Sequence, residues 1–109
     1  MALKRYQIVL VGLDPVICGE MAKTRPAAVI SSDEMNAALD TVVVCPLTTR
    51  LHPRWRSRVQ ITTSGKRAEI AVDQIRAVSQ QRIIRRLDKL TAKAVAEVRR
   101  TISEMYGEG

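Results

Sequence analysis

A chain of 109 residues, 46% of them apolar, is sized for one domain with a modest core and is too hydrophobic to be disordered. With no Phe, one Trp and two Tyr, that core must be aliphatic. A formal net charge of +7 and a pI of about 10.1 point to a polyanionic partner, nucleic acid first and an acidic protein tail second.

Met1 to Arg5 lead into an apolar run that Gly12, Asp14 and Pro15 interrupt, with no small-residue cleavage site behind it. A secretory signal is therefore not expected, and the run is too short to span a bilayer. The expected compartment is the cytoplasm, with no membrane partner. Tyr6 to Leu13 reads as a buried strand ending at the turn signal Asp14-Pro15. Val16 to Thr24 has no periodicity, holds Gly19 and reads as a functional loop. Pro26 to Ser31 reads as a second strand, with Pro26 at its first position, where a missing N–H is tolerated. Ser32 to Asp40 is expected as a turn or one short helical segment.

Thr41 to Leu47 is the clearest strand of the chain, and Thr48 to Ser57 follows as a polar loop. Arg58 to Thr62 alternates, with Val59 and Ile61 on one face. Ser64-Gly65 is expected to turn it into a hairpin with Ala68 to Val72, and Asp73 to Val78 is a further short apolar segment. From Thr91 the period becomes helical: Val95, Val98, Ile102 and Met105 form a stripe expected in the core and partly at a dimer surface. Thr91 is the expected cap and Gly107 the expected end. Several short strands followed by one terminal helix predict an α+β, mainly β domain over 1–109, a small barrel with the helix packed on it.

Cys18 and Cys45 each sit in or beside an aliphatic stretch and read as buried, reduced thiols. With only His52 beside them they match no zinc spacing, so neither a metal nor a cofactor is expected.

Two loops concentrate the polar groups. One holds Glu20, Lys23, Thr24 and Arg25; the other runs through Thr48, Thr49, Arg50, His52, Arg54, Trp55, Arg56 and Arg58. If the strands starting at Tyr6, Pro26 and Thr41 share one sheet, both loops lie on one edge and Glu20, Arg25 and Thr48 can converge. Such a set suits cleavage of RNA, which carries its own nucleophile in the 2′-hydroxyl. Arginine binds phosphate through a permanently charged fork, a threonine hydroxyl can donate to a non-bridging oxygen, and Glu20 or Asp73 can accept a proton or orient Arg25. Trp55 among Arg50, Arg54, Arg56 and Arg58 reads as a ring for base stacking with cations for phosphates, or else as a tryptophan folded back on the barrel. His52 reads as a solvated loop residue, and Arg82, Arg85 and Arg86 as a solvated surface cluster.

Asp14-Pro15-Val16-Ile17-Cys18-Gly19-Glu20, then Thr24-Arg25-Pro26-Ala27-Ala28-Val29-Ile30 and Asn36, resemble the MazF/PemK family of toxin endoribonucleases. The likeness continues through Cys45-Pro46-Leu47-Thr48-Thr49, Ile70 to Val78 and Arg82, and closes with Tyr106-Gly107. The resemblance implies an SH3-like barrel with a C-terminal helix, acting as a homodimer. It implies metal-independent, sequence-specific cutting of single-stranded RNA to 2′,3′-cyclic phosphate and 5′-hydroxyl ends. It also implies a cognate antitoxin whose acidic tail covers the RNA groove. Arg25 and Thr48 match the family's principal catalytic pair, Glu20 its loop glutamate, and Asp73 a position that some members use in acid–base work. Lys23, Thr24, Thr49, Arg50, Arg54, Trp55 and Arg56 are the expected RNA contacts.

The chain departs from the pattern at three places. Cys18 precedes Gly19, Arg5-Tyr6 replaces an early Arg-Gly pair, and Ala71 stands where some members carry an arginine two residues before Asp73. The alternatives are a catalytically silent relative, or a protein-binding toxin of the kind that poisons DNA gyrase. The ending Tyr106-Gly107-Glu108-Gly109 lacks the Trp-Gly-Ile type of terminus of those poisons.

Overall fold

Alternation of small and β-branched residues lays the first three strands side by side. The computed structural model describes residues 2–12 and 23–108, so Cys18, Gly19, Glu20 and nearly all of the expected functional loop lie outside the described residues. β1 (Gln7–Gly12), β2 (Thr24–Val29) and β3 (Thr41–Thr48) pair antiparallel in that order. Between β2 and β3 lies α1 (Asp33–Ala38), capped by the Ser32 hydroxyl, which accepts the Met35 N–H at 3.2 Å. Asn36 pins this helix to the sheet: it is buried and its amide donates to the Leu3 and Ser31 carbonyls.

β4 (Arg58–Thr63) and β5 (Lys66–Ala71) form the expected hairpin. Ser64 and Gly65 at its tip have φ of 52° and 74°, the paired positive values that a tight two-residue turn requires. A 3-10 turn at Val72–Gln74 leads into β6 (Arg76–Ser79), which pairs with the first half of β3, while β5 pairs with its last two residues. β7 (Ile83–Lys89) adds to the free side of β1. The strand order is β4-β5-β3-β2-β1-β7, with β6 on β3. The sheet curls without closing, and its two ends are linked at one point, where the Thr63 hydroxyl on β4 donates to Asp88 on β7 at 3.1 Å. The result is a half-barrel.

Each face of the sheet carries a core. Ile8, Ala28, Cys45, Leu47, Val59 and Ile70 pack with Ala94 and Val98 of α2 (Ala92–Tyr106), while the alternate residues Val9, Val11, Ala27, Val29, Val42 and Val44 pack with Leu3 and Val78. Burying side chains of this size contributes about 1.5–3 kcal/mol each. Thr91 caps α2 by accepting the Ala94 N–H at 3.2 Å, and Gly107 ends it. The buried stripe of α2 is Ala94, Val98 and Thr101, flanked by Val95 and Ile102. Met105 is exposed, and the last turn is tied down by the Tyr106 hydroxyl, which donates to the Val72 carbonyl at 2.8 Å. No helix among the described residues is long and apolar enough to cross a membrane.

The fold class is the expected one, a mainly β half-barrel with a C-terminal helix. The strand missing from the sequence reading is β7. It is an edge strand, mostly exposed, so it carries no alternation to betray it, and its Arg85 and Arg86 look like surface charge.

Candidate functional site

β1, β2 and β3 do share one sheet, and this decides where the two polar loops go. β2 and β3 pair as Ala27↔Pro46, Ala28↔Cys45 and Val29↔Val44. Continued by two residues, this register sets Arg25 facing Thr48. Both residues line one cavity of about 300 Å³, together with Arg50, His52, Trp55 and Arg58. Pro46, Ala71 and Gln74 complete its wall.

Thr48 is half-buried, and its hydroxyl accepts the Arg50 backbone N–H at 3.1 Å. That bond orients the oxygen and leaves the hydroxyl hydrogen available to an incoming acceptor. Arg25 is exposed at the start of β2, and among the described residues no carboxylate pairs with it or with Arg50. Among the described residues, two guanidinium groups therefore present uncompensated charge to the cavity.

The rest of the wall is a buried charge network. Across β3–β5, Thr48 is the partner of Glu69, and across β5–β4, Glu69 is the partner of Gln60, so these side chains share a face. The Glu69 side chain has no exposed surface. One of its oxygens accepts the His52 backbone N–H at 2.5 Å and the Gln60 amide at 2.9 Å; the other accepts Arg58 Nη1 at 2.5 Å. Burial alone would push the Glu69 carboxyl up, but the hydrogen bonds from Gln60, His52 and Arg58 outweigh it and bring it down to about 2. Arg58 also donates from Nε to Asp73 at 2.8 Å. Burial raises the Asp73 carboxyl as well, and the hydrogen bonds from Arg58 and Ser57, with the nearby Arg58 charge, together outweigh this and leave it lowered. Arg58 is thus saturated by two carboxylates, which leaves Arg25 and Arg50 as the cavity's guanidinium groups with no carboxylate partner among the described residues.

The expected residues divide accordingly. Arg25, Thr48, Arg50 and Trp55 meet in the cavity. Asp73 does not line it and serves Arg58 instead. Lys23, Thr24 and Thr49 are exposed beside it at the strand ends. Arg54 and Arg56 turn into a neighbouring, larger groove between β4 and α2, where Arg56 pairs with Glu104 at 3.7 Å. Glu20 lies outside the described residues.

His52 is not the solvated loop residue its context suggests. Its side chain is 29% exposed, its Nδ1 lies 3.4 Å from Glu69, and its ring stacks on Trp55 with centroids 3.9 Å apart. The residues that sequence reasoning missed are Glu69 and the role of Arg58. A carboxylate inside the aliphatic run Ala68-Glu69-Ile70-Ala71-Val72 was the available signal, because a buried acid demands a partner. Among the described residues no group of three His, Cys, Asp or Glu side chains is placed to hold a metal ion.

Residues 4–106 match the sequence model of the PemK-like, MazF-like toxins of type II toxin–antitoxin systems. Two curated relatives are Endoribonuclease MazF9 of Mycobacterium tuberculosis, 28% identical over 88% of this chain and 89% of the relative, and Endoribonuclease MazF of Staphylococcus saprophyticus, 29% identical over 96% and 92%. Among solved structures, MazE–MazF (Form-II) from Deinococcus radiodurans superposes with a TM-score of 0.82 at 22% identity, covering 100% of this chain and 99% of the other. A match to the family across nearly the whole chain, on a fold shared from end to end, settles its membership: this protein belongs to the PemK-like, MazF-like toxin family of type II toxin–antitoxin systems.

Proposed function

We propose that the protein is a sequence-specific endoribonuclease toxin that cuts single-stranded RNA without a metal ion. The observation that carries the proposal is the meeting of Arg25 and Thr48 in one cavity, with the Arg25 guanidinium uncompensated by any carboxylate among the described residues. The names of the curated relatives, both endoribonucleases, support it.

In the reaction the RNA 2′-oxygen attacks the adjacent phosphorus while the bond to the 5′-oxygen breaks. The products are a 2′,3′-cyclic phosphate and a 5′-hydroxyl, and the proton lost from the 2′-hydroxyl balances the one gained by the leaving oxygen. Arg25 holds the phosphate and neutralises the charge that builds on its oxygens. Thr48 donates its free hydroxyl hydrogen to a non-bridging oxygen. Glu20 accepts the 2′-hydroxyl proton or orients Arg25. Asp73 is spent on Arg58 and is a structural anion in this scheme. Arg50 and Trp55 bind the strand inside the cavity, with Lys23, Thr24 and Thr49 at its edge and Arg54 and Arg56 beyond it. The working unit is a cytoplasmic homodimer, neutralised by an antitoxin with an acidic tail. The MazE–MazF structure of a relative with the same fold supports an antitoxin partner.

Single-turnover cleavage of a long single-stranded RNA by Arg25→Ala and Thr48→Val tests the assignment. Each change is expected to slow cutting by roughly 10²-fold or more while the melting temperature stays put. Cutting at the wild-type rate by either folded variant would overturn the pair.

A further inference from the structure

Trp55 is the only tryptophan of the chain, and it stands half exposed between the β4–α2 groove and the cavity of Arg25 and Arg50, two guanidinium groups with no carboxylate partner among the described residues. Its surroundings are constructed with care. The His52 ring stacks on it with an interplanar angle of 21°, and the Arg58 guanidinium carbon lies 4.7 Å from its centroid. Arg58 Nη1 is also only 3.4 Å from His52 Nδ1, so His52 and Arg58 stand on the same side of the indole. With that side covered and the residue half exposed, the opposite face is the one left for a ligand.

The loop that carries the indole is closed into a circuit. His52 donates its N–H to Glu69, Trp55 donates its N–H to the His52 carbonyl at 3.0 Å, and Arg58 donates its N–H to the Trp55 carbonyl at 3.2 Å. The Arg58 side chain returns to Glu69, and Asp73 fixes its far end. A buried carboxylate–guanidinium pair is a costly way to fill the space under a loop, and apolar residues of similar size do it as well. What the network supplies is a fixed orientation for one aromatic ring.

We propose that the outer face of Trp55 is a stacking platform for an RNA base next to the Arg25–Thr48 cavity, and that Glu69 and Arg58 are the positioning residues that hold it. The proposal rests on the ribonuclease reading for its substrate. A base stacked there sits beside a phosphate held by Arg25, and stacking accepts any base, so the platform adds affinity rather than sequence choice.

Because Trp55 is the sole tryptophan, its fluorescence reports the platform directly. The probe is a mixed-sequence 2′-O-methyl RNA oligonucleotide, which has no 2′-hydroxyl and is not cut. Titration is expected to quench wild-type emission saturably, and Arg25→Ala is expected to keep the full quenching amplitude at saturation. Glu69→Gln, shown to be folded by circular dichroism, is expected to lose most of the amplitude and to raise KM on cleavable RNA by roughly five- to hundred-fold, with kcat changing much less. Trp55→Phe should restore most of the affinity that Trp55→Ala loses. Should Glu69→Gln fail to fold, Arg58→Lys removes the fork that spans Glu69 and Asp73 while keeping the charge, and the same losses are expected. Wild-type emission unchanged at saturating oligonucleotide overturns the platform, and wild-type KM and quenching in the folded positioning variant overturn the role of Glu69. The two readings fail separately. Quenching without cleavage of normal RNA removes the nuclease and keeps the platform, whereas cleavage without quenching does the reverse.

Discussion

Glu69 makes the stability of this protein depend on acid in a way that one substitution isolates. Its side chain is fully buried and its pKa falls from 4.5 to about 2, because the bonds from Gln60, His52 and Arg58 outweigh the penalty of burial. At about 1.4 kcal/mol per pH unit this fall is worth at most about 3.5 kcal/mol, and about half that where water in the adjoining cavity screens the pair. A folded pKa below the unfolded one means that the unfolded chain binds the extra proton. The contribution is therefore complete above about pH 4.5 and drains away as pH falls toward 2. Glu69→Gln has nothing to titrate at this position. Urea unfolding of both proteins between pH 7 and pH 2.5 should show the wild type more stable at neutral pH. The gap should shrink by about 1–2.5 kcal/mol between pH 5 and pH 2.5, the rest of the contribution being lost only below the folded pKa. A gap that stays constant through this window would refute the reasoning, because Glu69 would then have the same pKa folded and unfolded.

Further outcomes follow from the packing. Thr91→Ala removes the hydroxyl that caps α2 and should cost about 1 kcal/mol, seen as a fall of about 5 °C in melting temperature. Val98→Ala leaves a hole between α2 and the sheet at a fully buried position and should cost about 2–3 kcal/mol in urea unfolding. Burial, with a smaller contribution from Asp73, pushes the Cys45 thiol up to about 12. Peptide mapping after alkylation at pH 8 should find Cys45 unmodified in folded protein and fully modified in denaturant.

The sequence reveals local features well and long-range pairing badly. The Thr41 to Leu47 strand, the Ser64-Gly65 hairpin and the Thr91 and Gly107 ends of the helix were legible because each is written within a few neighbouring residues. β7 was not, because an edge strand exposed on both faces has no period. Tyr6, which replaces the expected glycine of the early Arg-Gly pair, adopts φ of 71°. Its N–H donates to Val29 and its carbonyl accepts from Leu90, so tertiary hydrogen bonds hold a conformation that glycine would take freely.

The Ala71 departure has a similar answer. Arg58 sits directly opposite Ala71 in the β4–β5 pairing and reaches Asp73 from the neighbouring strand. The arginine is present but thirteen residues away in sequence, visible only once the register is known. The convergence of Glu20, Arg25 and Thr48 was inferred on the condition that three strands share a sheet; they do, and Arg25 and Thr48 meet, while Glu20 lies outside the described residues. The burial of Glu69 and the stacking of His52 on Trp55 depend on how a loop folds over a strand, which no periodicity encodes.

The most direct test of the proposed activity is incubation of the purified protein with a long single-stranded RNA in excess EDTA, followed by mapping of both ends at each cut. Discrete cuts leaving 2′,3′-cyclic phosphate and 5′-hydroxyl ends, absent with Arg25→Ala, are the predicted result. Intact RNA after incubation with folded wild-type protein, or cutting that EDTA abolishes, would contradict it.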